Sequence, residues 1–286
     1  MNLKDGLQLT RPRLSLMVAL SALCGYLAAP GSHSILAVMQ LFPGVFLLAA
    51  AASAFNQIQE RSLDRLLPRT AQRPLASERL QTGHGAWLAT PLAIIGTLLL
   101  GSLSLATCGV GLLALAWYNL FYTPLKSRTS LVLLVGSIGG ALPPLLGWIA
   151  SGASPLAPKA LHLYLVLMIW QVPHFWCLSL RDNLQGQRVG IKLVPSGWSP
   201  QRVLFMIRLW TLAFGTLLLA ALPLLFLSSP TGKWLVTLLG LGSIGTALMH
   251  QNQTGPGQWA KAVGLRLHII LAGILTTIAI DPFIHF

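Results

Sequence analysis

The feature that most constrains this chain is a series of apolar runs, each about long enough to cross a membrane as a helix. Nine such runs lie at residues 13–29, 34–55, 85–104, 105–123, 130–151, 160–180, 202–228, 233–250 and 263–284. A helix needs about 20 apolar residues to cross about 30 Å of hydrocarbon, and these runs lack the alternation of barrel strands. We therefore expect an all-α, polytopic membrane protein with nine transmembrane helices.

The distribution of charge supports this fold class and indicates an orientation. Charged residues make up only 9% of the 286, whereas hydrophobic residues make up 54%. If the N-terminus lies in the cytoplasm, 17 of the 19 lysines and arginines fall in inner segments, and only Lys159 and Lys233 lie outside. Because such residues concentrate in cytoplasmic loops, the net charge of +13 reflects topology and does not indicate a nucleic-acid site. The C-terminus is then expected outside.

One helical domain accounts for the whole sequence. The longest polar segments, 56–83 and 181–201, do not have the composition of linkers. The first apolar run follows basic residues, as the core of a signal peptide would. The next run begins after only a short turn, however, which favours a retained helical hairpin. We expect a single transmembrane domain over residues 1–286.

Two of the six acidic residues stand close together after the second apolar run. Asn56, Glu60 and Asp64 recur every four residues, so a helix places their oxygen-bearing side chains on one face, along about 12 Å. Carboxylates at the edge of hydrocarbon are unfavourable unless they are paired or bind a cation, and Mg²⁺ prefers hard oxygen ligands of this kind. These three residues are therefore candidate metal ligands.

The same spacing allows a simpler interpretation, in which both acids lie on a solvated helix end and form ion pairs there. The nearest candidate partners are Arg61, Arg65 and Arg69. Prolines interrupt the helix beyond Asp64, so Arg69, Arg73 and Arg79 could lie on a bend that faces the acids. Guanidinium groups in that position would suit a diphosphate, or they could simply anchor the loop to the inner leaflet.

Three ordered motifs resemble one family. Residues 56–75, NQIQERSLDRLLPRTAQRPL, resemble the first acidic motif of UbiA-type intramembrane prenyltransferases. Within that family, the part RTAQRPL is similar to protoheme IX farnesyltransferases, also called haem O synthases. YTPLKSRTS, followed by GALPPLLGW at 140–148 and by WQVPHFW at 170–176, extends the resemblance over nearly the whole chain.

The resemblance implies helices around a central cavity and a Mg²⁺-dependent reaction. In that reaction a farnesyl group passes from farnesyl diphosphate to the vinyl group of haem B, giving haem O. Diphosphate leaves readily when metal ions and Arg or Lys neutralise its growing charge, and an apolar chamber keeps the allylic cation from water. The resemblance also implies a location in the cell inner membrane and a possible downstream membrane enzyme that modifies the haem further.

Carried over by position, the resemblance assigns roles to individual residues. Asn56, Glu60 and Asp64 would hold Mg²⁺ and diphosphate, although Glu60 stands where the family more often has Asp. The phosphate oxygens would be contacted by Arg69, Arg73, Lys126 and Arg128.

The second acidic motif departs from the family pattern. Members carry two adjacent acids and a tyrosine before a GxPMLP-like stretch, and the matching positions here are Leu184, Gln185 and Gly186. Asp182 lies three residues before Gln185 and could supply a displaced catalytic and metal-binding carboxylate. Alternatively, one metal together with Arg188 and Lys192 suffices, or the catalysis is weakened or lost.

His174 and the aromatic residues around it are candidates for the acceptor site. A lone histidine in a membrane helix usually forms a hydrogen bond to a neighbouring helix. The resemblance instead implies that His174 acts at the acceptor cavity, on haem or on a proton in transit. Trp148, Trp170, Phe175 and Trp176 could line a flat acceptor site, although packing or interface anchoring also explains single aromatic residues.

Three alternatives to this function stay open. The acceptor could be another aromatic compound or a quinone precursor. The chain could be a haem- or lipid-binding homologue with weakened catalysis, which the altered second motif favours. A transporter is the third alternative, because intramembrane charges and broken helices also suit ion pathways.

Overall fold

The computed structural model describes residues 2–31, 33–182, 184–185, 189–220, 227–250 and 255–284. Within these ranges the regular structure is helical throughout, which confirms the all-α prediction. The helices are α1 Leu3–Thr10, α2 Pro12–Ala28, α3 Ile35–Arg65, α4 Thr82–Gly101, α5 Leu105–Ala116, α6 Val132–Gly140, α7 Leu142–Ala150, α8 Pro158–Arg181, α9 Pro200–Ala220, α10 Pro230–Leu248 and α11 Gly255–Ile280. A π-helix at Trp117–Tyr122 and a last turn at Thr123–Leu125 extend α5.

Seven stretches of the described residues are long and apolar enough to cross a membrane. They are Ile35–Arg65, Thr82–Gly101, Leu105–Leu125, Val132–Ala150, Pro158–Arg181, Pro200–Ala220 and Gly255–Phe283. Of the other two expected runs, 13–29 forms α2, which is apolar but has only 17 residues, and 233–250 forms α10. The polytopic membrane class is therefore confirmed, whereas the count of nine spans is not.

The fifth expected run, 130–151, is broken into α6 and α7. Pro143 and Pro144 lie in the first turn of α7, where they have no backbone N–H to donate to the end of α6. Near the break, the Tyr164 hydroxyl of α8 donates to the Ile138 carbonyl at 3.1 Å. Broken helices are tolerated in membranes where other groups satisfy the backbone in this way.

The chain divides into two compact units, and the first comprises residues 1–26, 30–125 and 142–153. In this unit α2 and α7 meet with their backbones in contact. A Cβ on Gly147 would lie 1.7 Å from the Ala22 carbonyl oxygen, and one on Gly25 would lie 1.9 Å from the Pro144 carbonyl oxygen. Glycine at both positions therefore permits this close helix packing, which is common between membrane helices.

The second unit comprises residues 27–29, 126–141 and 154–286. Its core is apolar, and side chains from α8, α9 and α11 are almost completely buried, as at Leu163, Phe214 and Leu267. The Ser243 hydroxyl of α10 donates to the Thr211 carbonyl of α9 at 3.0 Å, a polar link of the kind that joins membrane helices. The expected single domain over 1–286 stays a prediction.

Candidate active site

The three oxygen-bearing side chains after the second apolar run lie on one face of α3, as their spacing predicts. Asn56, Glu60 and Asp64 occupy the C-terminal half of this helix and are 2%, 9% and 4% exposed. Burial of a carboxylate is unfavourable unless a partner or a cation compensates for the lost water. The interpretation as a solvated helix end is therefore wrong for these side chains.

Asp64 pairs with an arginine from the following loop, and not with one from its own helix. Arg73 Nη1 donates to both carboxylate oxygens of Asp64, at 2.9 and 2.7 Å. The loop folds back over the end of α3, where the Thr70 hydroxyl donates to the Asp64 carbonyl at 3.0 Å. Arg65, which the sequence offered as a partner for the acids, pairs with Glu78. The bend beyond α3 thus brings Arg73 to Asp64.

Asn56 is held by the far end of α5. Its Nδ2 donates to the Thr123 hydroxyl at 3.0 Å, and that hydroxyl donates to the Tyr118 carbonyl at 2.8 Å. Tyr118 belongs to the π-helix, an irregularity that is frequent at functional sites. The Asn56 amide nitrogen donates this hydrogen bond, so the amide oxygen is the atom that can bind a cation.

Helix α1 packs against the acidic half of α3, and several contacts fix it there. Leu9 is fully buried in an apolar cluster with residues of α3, α4 and the loop between them. Gln57 Nε2 donates to the carbonyls of Gln8 and Leu9, both at 2.9 Å. The Asp5 carboxylate pairs with Arg79 at 3.3 Å. The N-terminal helix is therefore part of the candidate site's framework.

Arg11 is a member of the site that the sequence analysis did not single out. It ends α1 in a left-handed conformation, with φ of 47°. Burial lowers the pKa of Arg11; among the nearby groups, Tyr118 and Asp64 raise it, and Arg73 and Arg69 lower it. Arg11 therefore lies near Arg69, Arg73 and Asp64, in one cluster of charged side chains. The only sequence feature that marked Arg11 was its position directly before Pro12, at the start of an apolar run.

A second cationic group lies in the other unit, where two segments far apart in sequence run beside each other. The Lys192 backbone N–H donates to the Lys126 carbonyl at 2.6 Å, and Lys192 Nζ donates to the Arg128 carbonyl at 3.2 Å. Lys126, Arg128 and Lys192, three of the cations expected to bind phosphate, are therefore neighbours.

Asp182 directly follows α8 and forms an ion pair with its own neighbour. Arg181 Nε donates to Asp182 Oδ1 at 2.9 Å, and the aspartate side chain is 30% exposed. Arg188, together with Gly186 of the altered second motif, lies outside the described residues. The proposed role of Asp182 as a metal ligand stays a prediction.

His174 lies in a cluster of rings within the second unit. It stacks on Trp170 of the preceding turn, with centroids 4.7 Å apart and planes at 12°. His268 of α11 meets it at 4.6 Å and 80°, and Phe175 contacts it at 5.6 Å. The sequence analysis grouped Trp170, His174 and Phe175, but no local pattern linked His268 to them.

The two remaining aromatic candidates are buried. Trp176 is 6% exposed, and its indole N–H donates to the Leu193 carbonyl at 3.3 Å, so it secures the segment that carries Lys192. Trp148 of α7 is 1% exposed. Both therefore have packing contacts, and their contact with a substrate stays a prediction.

Known proteins resemble this chain over most of its length. The model of the UbiA prenyltransferase family matches residues 16–270. A protoheme IX farnesyltransferase of Geobacter sulfurreducens is 42% identical over 230 residues, which cover 78% of this chain and 83% of the relative. Another, from Myxococcus xanthus, is 32% identical over 284 residues, which cover 97% and 94%.

Solved structures show the same fold at low sequence identity. A digeranylgeranylglyceryl phosphate synthase aligns with a TM-score of 0.77 and 17% identity, over 98% of each chain. A UbiA homologue from Archaeoglobus fulgidus, bound to GPP and Mg²⁺, aligns with a TM-score of 0.69 and 14% identity, over 96% of this chain and 99% of the homologue. Family, relatives and fold agree: the chain belongs to the UbiA prenyltransferase family and is an intramembrane prenyltransferase.

Proposed function

We propose that this enzyme transfers the farnesyl group of farnesyl diphosphate to a vinyl group of haem B, giving haem O. The bond between the allylic carbon and the diphosphate oxygen breaks, and the diphosphate leaves with the electron pair. The vinyl group supplies the electrons of the new carbon–carbon bond. Water then adds to the cation that forms beside the porphyrin ring, which leaves a hydroxyl group and releases a proton. We choose haem B as the acceptor because the relatives described above are named protoheme IX farnesyltransferases.

The observation that carries the proposal is the buried row of oxygen atoms on α3. Two carboxylates and an amide, at Glu60, Asp64 and Asn56, are at most 9% exposed. Such a donor set fits Mg²⁺, which takes few carboxylates and completes its coordination with water and phosphate oxygens. When bound, the metal neutralises the charge that develops on the leaving diphosphate. A structural homologue is described with Mg²⁺ and GPP, which supports a divalent ion here.

Arginines near Asp64 provide the rest of the proposed binding site for farnesyl diphosphate. Arg73 holds the Asp64 carboxylate through two hydrogen bonds, and it can turn one of its remaining N–H groups to a phosphate oxygen. Arg11 lies close enough to Asp64, Arg69 and Arg73 for their charges to affect its pKa. We assign Arg11, Arg69 and Arg73 to the diphosphate, together with Lys126, Arg128, Lys192 and Arg188.

The acceptor residues come from α8 and its surroundings. We assign His174 and Phe175 to the face of the porphyrin, because the imidazole is stacked on Trp170 with nearly parallel planes and Phe175 contacts the imidazole. We also assign Trp148 and Trp176 to the acceptor site. Asp182 is assigned as a displaced acid of the second motif.

The protein is a multi-pass membrane protein, and we place it in the cell inner membrane with the N-terminus cytoplasmic and the C-terminus outside. This orientation puts the basic loops inside. Haem O stays in the bilayer because of its farnesyl tail, so a membrane enzyme that modifies haem further is the expected consumer of the product.

The test uses the full chain in detergent or proteoliposomes with haem B, farnesyl diphosphate and Mg²⁺. Farnesylated haem, detected by mass spectrometry, is the expected product. The reaction should stop with EDTA and return with Mg²⁺. If no farnesylated haem forms where the Geobacter sulfurreducens relative makes it, the proposal fails, and quinone precursors replace haem as the acceptors to screen.

One observation favours a second candidate, a haem- or lipid-binding homologue with weakened catalysis. The positions of the second acidic motif hold Leu184 and Gln185, and Asp182 is engaged with Arg181. Glu60→Gln separates the two functions. An enzyme should lose turnover and keep its haem affinity, whereas in a binding protein the parent and the variant would show the same low turnover.

A further inference from the structure

The ring cluster of the second unit contains two histidines that meet although they are far apart in sequence. Trp170 and His174 are stacked one turn apart on α8, and His268 of α11 stands nearly perpendicular to both. The centroid of the His268 ring is 4.6 Å from that of His174 and 5.4 Å from that of Trp170. The His268 ring therefore lies beside the stacked pair and contacts both of its rings.

Hydrogen bonds fix both the position and the tautomer of His268. The Trp170 indole N–H donates to the carbonyl of the adjacent residue, Leu267, at 2.9 Å. His268 Nδ1 lies 2.6 Å from the Gly264 carbonyl oxygen. A carbonyl oxygen only accepts, so Nδ1 carries the proton and, in the neutral ring, Nε2 carries the lone pair. Histidines that ligate a metal are usually oriented in this way, by a hydrogen bond from the other ring nitrogen.

The surroundings of His268 call for a polar partner. It lies on α11 two residues after Arg266, near the cytoplasmic end of the expected span 263–284. Its side chain is exposed in the protein. An ionisable group on a membrane helix is unfavourable against lipid and usually faces a cavity or a ligand.

The chemistry of the cluster selects one kind of ligand. Among the described residues, no group of three or more His, Cys, Asp or Glu side chains could hold a metal ion, so the two histidines of this cluster have no third such ligand for a bare cation. Haem iron already has four pyrrole nitrogens and needs only one or two protein ligands. Imidazole is a common axial ligand of this iron, and the flat porphyrin suits the neighbouring aromatic rings.

We propose that His268 ligates the iron of the haem acceptor through Nε2, and that the stacked Trp170 and His174 rings position it. This inference rests on the proposed function, because the acceptor there is haem. Ligation holds the porphyrin at a fixed point, so that one vinyl group is presented for prenylation. His174 is then a positioning residue for His268, in addition to its contact with the porphyrin face.

The test is a spectroscopic titration of the full chain in detergent with ferric haem B and, separately, with iron-free protoporphyrin IX. The parent should give the Soret and visible bands of histidine-ligated haem. His268→Leu should lose these bands and bind haem about tenfold more weakly or worse, while its affinity for the iron-free porphyrin is unchanged. Added imidazole should restore the bands in His268→Gly.

Matched variants separate ligation from structure. His250→Ala, at an exposed histidine of the same unit, should match the parent. His174→Phe keeps a ring on Trp170 and should keep the ligand bands. If those bands vanish in His174→Phe and persist in His268→Leu, the ligand is His174 and the inference is overturned.

Two further outcomes distinguish the inference from the function on which it rests. If the parent farnesylates haem but His268→Leu has the same haem spectrum, His268 is not the ligand and the proposed function stands. If the parent neither binds nor farnesylates haem, the proposed acceptor is wrong, and the inference that His268 ligates its iron is also wrong. If His268→Leu loses affinity for haem and for iron-free porphyrin equally, His268 shapes the binding site and does not ligate iron. This result would also overturn the inference.

Discussion

The two acidic regions of this enzyme differ in how their carboxylates are held. On α3, the Asp64 side chain is 6% exposed, and a loop arginine donates to both of its oxygens. After α8, the Asp182 side chain is 30% exposed and pairs with the preceding residue, Arg181. The contacts described for the first carboxylate come from a separate segment, whereas the ion pair described for the second joins it to the preceding residue.

This difference indicates where a small change in sequence should matter most. A buried, hydrogen-bonded charge is already in the orientation that a reaction needs, and electrostatic stabilisation by such groups is often the largest contribution to catalysis. A half-exposed ion pair between adjacent residues is screened by water and contributes little. We therefore expect the region on α3 to dominate catalysis.

The largest expected effect is at Asp64. Asp64→Asn removes the buried negative charge that the metal and Arg73 share, so we expect turnover to fall by about 10³-fold. The rate of farnesylated haem formation measures it, and Glu78→Gln, at an exposed acid of the same region, is the control. Turnover equal to that of the parent would remove α3 from the catalytic site.

Arg73 comes next. Arg73→Gln loses the two bonds to Asp64 and one positive charge at the diphosphate, and we expect a loss of about 100-fold in kcat/KM for farnesyl diphosphate. Arg61→Gln, at an exposed arginine of α3, should have little effect. Equal losses in both variants would mean that only the overall positive charge of the region matters.

Asp182→Asn tests the other side of the comparison. Because this carboxylate is partly exposed and engaged by Arg181, we expect turnover to fall only about tenfold. Steady-state rates at saturating Mg²⁺ give the value. A thousandfold fall, as large as that expected for Asp64, would show that the second region is as important as the first, and the contrast between them would disappear.

The smallest expected effect is a gain. Leu184 has a left-handed backbone, with φ of 55°, which disfavours leucine and is better tolerated by aspartate. Leu184→Asp combined with Gln185→Asp restores two adjacent acids, and we expect turnover to rise severalfold. The neutral pair Leu184→Asn with Gln185→Asn has similar shape and should give no gain. A gain in the neutral pair would assign the effect to the backbone alone.

The sequence predicted some parts of the site better than others, for a physical reason. Asn56, Glu60 and Asp64 share a face because helical periodicity is a local property of the chain. The break after α6 is likewise a local effect, because proline acts on its own helix. The partner of Asp64 could not be predicted, because the sequence favoured Arg65 and Arg69 as much as Arg73. The folding of the loop back over α3 selects Arg73. Likewise, no pattern around Arg11 indicated that α1 would carry it to the acids.

The sequence by itself determined that this is a helical membrane protein, which residues line the acidic face of α3, and which family the motifs resemble. These properties depend on hydrophobicity and on the spacing of neighbouring residues. Only the tertiary structure decided that Arg73 meets Asp64, that Arg11 joins the same charge cluster, and that His268 stands against His174. Those contacts join segments distant along the chain, and the packing of whole helices and loops, which no local pattern encodes, sets them.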